Sequence, residues 1–225
     1  MTHLLRSILL GSAFVLLGFA PLHAQSTSNW DGLAQVPAKS ADYLFLRPGA
    51  EFGHYTAILL DPTEVSFRKN WQSNINRSRP GLLKVTDSDV RRAINGGQAE
   101  LKSAFEKRFR ETGFQIVSTP AENALRVFVA VANVEVAAPE MRTASSSASL
   151  SQDTGSGTLI IEVRDSLSGE LLGRAVDHGL VGDHLMTLRT SASNRADFQR
   201  LFDEWATTSA KGFRMLVTNS ANSSK

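Results

Sequence analysis

The sequence predicts an α+β fold: a single domain with a mostly antiparallel sheet and two amphipathic helices packed on one face. Three observations point there. Apolar residues recur at helical spacing over two long stretches, 87–112 and 193–217. Between them, apolar runs at 114–118, 124–136, 158–164 and 170–180 read as strands. Their short links favour antiparallel pairing. Finally, 225 residues with 42% hydrophobic and 20% charged suit one core of roughly 150 residues plus tails. The expected element order is β-α-β-β-β-β-α.

Residues 1–24 are expected to lie outside this fold as a signal peptide. Arg6 supplies the positive end, and Ile8 to Ala20 is a largely apolar run ended by Pro21. As a helix that run reaches only about 20 Å, short of the ~30 Å hydrocarbon core. Leu22-His23-Ala24 offers a cut after Ala24. Cleavage would give a periplasmic or secreted chain; retention as an anchor is the alternative. Gln25 stands where a lipoprotein needs Cys, so no lipid anchor is expected. With no Cys anywhere, the fold must rest on its hydrophobic core. No later stretch approaches 18 apolar residues, so no transmembrane span is expected after cleavage.

Residues 25–54 read as an irregular N-terminal arm, pinned by Trp30, Leu33, Tyr43, Leu44 and Phe45. The domain is expected over 55–217, and its organising stretch is Tyr55 to Trp71. Ala57 and Leu59 on one face and Ile58 and Leu60 on the other imply a covered central strand. Pro62 cannot donate to a ladder, so it marks a break before Val65-Ser66-Phe67. Thr86 to Asp89 offers N-cap candidates for a helix from about Asp87 to Thr112, with Gly113 as its stop. Gly96-Gly97 inside it implies close backbone packing or a break.

In 124–136, Leu125, Val127, Val129 and Val131 alternate with Arg126, Phe128, Ala130 and Ala132. The Ser-rich stretch 143–157 reads as a flexible loop. Asp165 to Gly169 suits a hairpin turn. Ser193 or Asn194 is expected to cap the last helix, whose inner face carries Phe198, Leu201, Phe202, Trp205, Ser209, Phe213 and Leu216. A disordered tail is expected over 218–225.

Charge gives one feature. The formal net charge is +2, and +1 once Arg6 leaves, so nothing chain-wide favours nucleic acid. Yet 68–84 carries Arg68, Lys69, Arg77, Arg79 and Lys84 without an acid. It is either a solvated polar loop or a docking surface for an envelope protein or anionic envelope polymer. Trp71 either folds back onto the core or stands exposed beside Arg68, Lys69, Arg77 and Arg79 as a binding platform.

Several stretches resemble one family. They are ADYLFLRPGA at 41–50, Asp61-Pro62-Thr63-Glu64-Val65-Ser66-Phe67, Ser168-Gly169-Glu170 through Ala175-Val176-Asp177, and Trp205-Ala206. The chain resembles a bacterial envelope family, domain of unknown function 3313, from about Trp30 to Leu216. The resemblance implies small envelope lipoproteins and brings no catalytic residue with it. The missing lipidation Cys is where this chain departs.

Chemistry finds few candidates. Three His follow the leader: His54, His178 and His184. Asp177-His178 and Asp183-His184 could hold a metal if a turn at Gly179 or Gly182 folded them together. On a continuous strand their six-residue spacing is about 20 Å, and they are then polar strand residues. Asp61 and Glu64 are either paired carboxylates of a hydrolase or a turn acid and a surface residue. No nucleophile elbow, P-loop or dinucleotide fingerprint is present, and no cofactor is expected. The sequence thus favours a non-enzymatic binding or accessory module, with a metal-dependent or hydrolytic enzyme and a purely structural oligomer as alternatives.

Overall fold

The computed structural model describes residues 31–136 and 148–223, without the side chains of 82, 148–154, 182–193 and 223. The predicted signal peptide, Trp30 and residues 143–147 of the predicted loop therefore lie outside the described residues. The elements are β1 (Ala34–Val36), β2 (Tyr43–Leu46), β3 (Ala57–Leu60), β4 (Glu64–Phe67), α1 (Trp71–Asn76), α2 (Asp87–Glu111), β5 (Gln115–Val117), β6 (Ala124–Val136), β7 (Ala148–Asp165), β8 (Leu171–Thr190) and α3 (Ser191–Ser223). A 3-10 turn covers Gly81–Leu83. Strand order is β1-β2-β8-β7-β6-β3-β5, with β4 also on β6. The α+β class and the two helices on one face are as expected.

β6 is the sheet's spine. Leu125, Val127, Val129 and Val131 are fully buried beneath the helices, while Arg126 between them is exposed. Leu101, Phe105 and Phe109 of α2 meet this face, and Phe109 packs edge-on against Phe114 and Phe213. Burying each such side chain stabilises the fold by about 1.5–3 kcal/mol. Thr86 and Asp89 form a capping box at the start of α2, and Gly113 follows its end at φ 87°. Gly97 lies against Val65, so the α2 backbone approaches β4 closely.

Pairing is less antiparallel than the short links suggest. β3 runs parallel to both β5 and β6, and β4 runs parallel to β6. The reason is α2: a helix of that length is a crossover, and it returns the chain to the same edge in the same direction. Pro62 interrupts a single line of pairing, since β3 and β4 lie end to end along β6 and the Asp61 N–H still donates to the Val127 carbonyl.

Three expectations need correction. The arm at 25–54 contains β1 and β2, which extend the sheet from β8. The Ser-rich stretch is strand from Ala148 onward, paired with β8 and, from Gly155, with β6. Its small residues are there because α3 lies on them. A side chain at Gly157 would meet Val131 at 3.0 Å, and one at Gly179, its partner on β8, would meet Trp205 at 2.6 Å. The tail also continues as α3, which begins at Ser191, before the predicted caps, and runs to Ser223. Its end rests on Gly53, where an added Cβ would meet the Ala221 backbone nitrogen at 2.9 Å.

Polar links tie the helices together. Arg214 of α3 donates from Nε to the Thr112 carbonyl at 2.8 Å, satisfying the end of α2, and stacks over Phe114. Arg108 grips Asp203 through Nε and Nη2 while its Nη1 donates to Glu111, which holds the Asp203 carboxyl below its ordinary value. Hydrogen bonds led by the Ser168 N–H do the same for Asp165, and those led by Lys102 do so for Glu106. Depressed carboxyl values stabilise the fold above the unfolded range near pH 4 and lose that contribution as pH falls through the folded values. The urea midpoint is therefore expected to drop between about pH 5 and 3. Arg108→Ala should flatten the part of the drop owed to Asp203, which a urea series across pH would measure.

Candidate functional site

The basic segment is a built platform. Asn70, at φ 64°, turns the chain out of β4 into α1. Trp71 is buried: its ring stacks on Phe67 at 4.2 Å and its Nε1–H donates to the Val136 carbonyl at 3.3 Å. The indole thus anchors the segment and is no exposed stacking surface. Gln72 donates to the Val85 carbonyl and to Asp87. Asn76 closes a reciprocal pair with Val85, donating from Nδ2 at 2.9 Å and accepting at Oδ1 from its N–H at 2.8 Å. This ring stack and five hydrogen bonds hold a segment of seventeen residues with few apolar side chains.

The cations on this platform differ in availability. Arg68 pairs with Glu135 at 2.9 Å, which raises the guanidinium above its ordinary value. Burial lowers that of Arg79. Lys69, Arg77 and Lys84 are exposed, with no carboxylate in ion-pair reach among the described residues. Arg91, near the start of α2, is likewise exposed and without an ion-pair partner among them. The neighbouring acids are engaged, Asp87 by Gln72 and Asp89 by Thr86 and Arg92. Most other arginines are spent: Arg47 on Glu170, Arg110 on Glu106, Arg126 on Asp61, Arg164 and Arg174 on Glu162.

The remaining candidates are dispersed. The single Nε–H of Arg126 is shared between both oxygens of Asp61, at 3.0 and 2.9 Å, so this carboxylate is a strut. Glu64 is exposed on β4. The Asp177 to His184 cluster does not fold on itself, because β8 runs as strand through Gly179 and Gly182. That spacing is about 20 Å. The side chains of Asp183 and His184 lie outside the described residues. Among the described residues no group of three His, Cys, Asp or Glu is placed to hold a metal.

Asp177 has another role. It accepts from Trp205 Nε1 at 2.7 Å and from the Asp42 N–H at 3.2 Å, while Asp42 accepts from the His178 N–H at 3.0 Å. Arg47 reaches the Leu171 carbonyl and Glu170. Three of the four motif stretches, 41–50, 168–177 and 205–206, therefore meet in one place. They join β2, β8 and α3 and carry the fold.

Sequence reasoning missed an apolar cleft of about 380 Å³ between α3, β2 and the middle of the sheet. Two of the motif stretches line part of it, with Leu44 and Leu46 from one and Gly173 and Ala175 from the other, but its walls come from stretches remote in sequence, so no local pattern marks it as a cleft.

Solved structures offer distant likenesses. The PelC dodecamer from Paraburkholderia phytofirmans is 11% identical, over 73% of this chain and 96% of that one, with a TM-score of 0.34. A DUF330 protein from Xanthomonas campestris is 12% identical, over 79% and 93%, at 0.43. A putative neuraminyllactose-binding hemagglutinin homolog from Helicobacter pylori is 10% identical, over 76% and 92%, at 0.38. Scores of this size do not establish a shared fold. A search of curated proteins finds no match. The family described as protein of unknown function (DUF3313) matches residues 23–209, and the chain belongs to it.

Proposed function

We propose that this chain is an exported binding module of the bacterial cell envelope that engages an acidic partner, protein or anionic polymer, through the platform at 68–84. The observation that carries this is the contrast in charge pairing. Lys69, Arg77 and Lys84 are exposed without an ion-pair partner among the described residues, while most arginines elsewhere are neutralised. A backbone fixed by Trp71 and Asn76 has little freedom left to lose on binding, which favours recognition over a flexible basic tail. The leader-like residues 1–24 support export. Among the described residues no helix is long and apolar enough to cross a membrane.

Elution from a heparin column, used as a polyanion probe, tests the platform. Arg77→Glu with Lys84→Glu should elute at clearly lower salt than the wild type. Lys107→Glu with Lys211→Glu makes the same change in net charge at exposed cations of α2 and α3 away from the platform and should shift elution much less. Equal shifts for the two pairs would reduce the effect to net charge and refute the platform.

A further inference from the structure

We infer that the apolar cleft binds a single-chain anionic amphiphile, a fatty-acid-like carboxylate, with its chain against α3 and its head group at Lys39. The site is separate from the basic platform. Its volume, about 380 Å³, falls within the roughly 300–1,000 Å³ of small-molecule sites. Leu46 and Phe52 form one wall, Ile161 and Val163 the floor, and Phe213 and Leu216 the face of α3.

Three features select the occupant. The surface the cleft presents is mainly apolar, with its polar side chains a minority of the lining, so a peptide backbone inside it would leave most N–H and C=O groups unpaired, whereas an alkyl chain leaves none. Charge at the mouth is positive. Lys39 is exposed with no carboxylate partner among the described residues. The other cation lining the cleft, Arg174, is held by Glu162 and Asp31, and Asp42 accepts from the His178 N–H. Finally, Gly212 lines the cleft from inside α3, and a Cβ there would meet nothing within 4 Å. Glycine weakens a helix interior. The chain keeps it at the position from which a side chain would fill the cleft.

The test titrates the full chain with dodecanoate and with dodecanol, both below micelle-forming concentration, by calorimetry. Dodecanoate should bind saturably at one per chain. Gly212→Leu should weaken it at least tenfold while the melting temperature holds or rises, which separates loss of the cleft from loss of the fold. Lys39→Glu, on the surface, should weaken dodecanoate at least threefold and leave dodecanol unchanged. Absence of saturable binding, full affinity in Gly212→Leu, or equal losses of the two probes in Lys39→Glu would each overturn the inference. So would a change in oligomeric state in Gly212→Leu with dodecanoate affinity intact, which would assign the cleft to a second copy of the chain.

Discussion

Trp205→Ala is expected to destabilise the fold by about 3–5 kcal/mol, the range for removing a buried Trp or Phe. The side chain is 5% exposed. Its ring lies on Gly157 and Gly179, which have no side chains to close the gap it would leave. Its Nε1–H is also the donor to Asp177 that fixes α3 over the β2–β8 seam. Trp205→Phe keeps much of the packing and loses that bond, so about 1–3 kcal/mol is expected for it. Urea unfolding of the two variants measures both. If Trp205→Ala cost under 1 kcal/mol, the indole would not be what seats α3 on the sheet.

Gly155→Ala is expected to cost about 2–3 kcal/mol, at the upper end for overpacking. The added Cβ would run into the Glu135 carbonyl oxygen and approach the Phe198 ring at 2.9 Å. Gly155 is paired with Val136 on one side and Val181 on the other, so its backbone cannot step away without breaking a ladder. Ser156→Ala, one residue on and facing the opposite way, should change stability by less than about 0.5 kcal/mol. Thermal melts of the pair give the comparison, and similar values for both would contradict close packing at Gly155.

Gly155 and Gly157 also mark the limit of what the sequence could disclose. A Ser/Gly-rich stretch has little strand propensity, and the local signal reads as loop. Here tertiary packing decides, because only small residues let Phe198 and Trp205 lie against the strand backbone. β1 and β2 were hidden for a different reason. They have three and four residues, too short for a period to show, and are set between turn formers such as Pro37 and Gly49. By contrast β6, α2 and the inner face of α3 were plain, because alternation or helical spacing persists over many residues. Parallel pairing follows from where the α2 crossover returns the chain, which no local pattern encodes.

The site was legible to a similar degree. The absence of acids from 68–84 is visible in the sequence, and of its five cations Lys69, Arg77 and Lys84 are exposed without an ion-pair partner among the described residues. That Trp71 turns inward to bond the Val136 carbonyl, and that Arg68 is spent on Glu135 while Arg77 is not, depends on contacts across more than 60 residues or on their absence. The motif residues Asp42, Asp177 and Trp205 stood out separately. Their convergence explains them as the lock between sheet and helix. The cleft borrows Leu44, Leu46, Gly173 and Ala175 from two motif stretches, yet nothing local shows that they border a hollow; Gly212, a glycine inside a long helical pattern, is the one further hint.

The most direct measurement of the central claim is in-cell photocrosslinking from a photoreactive residue at position 77, with one at Lys211 as control. The account predicts one discrete adduct from position 77 that disappears when Lys69 and Lys84 are reversed to Glu, and none from position 211. The same diffuse labelling from both positions, or an adduct from 77 indifferent to those reversals, would contradict it.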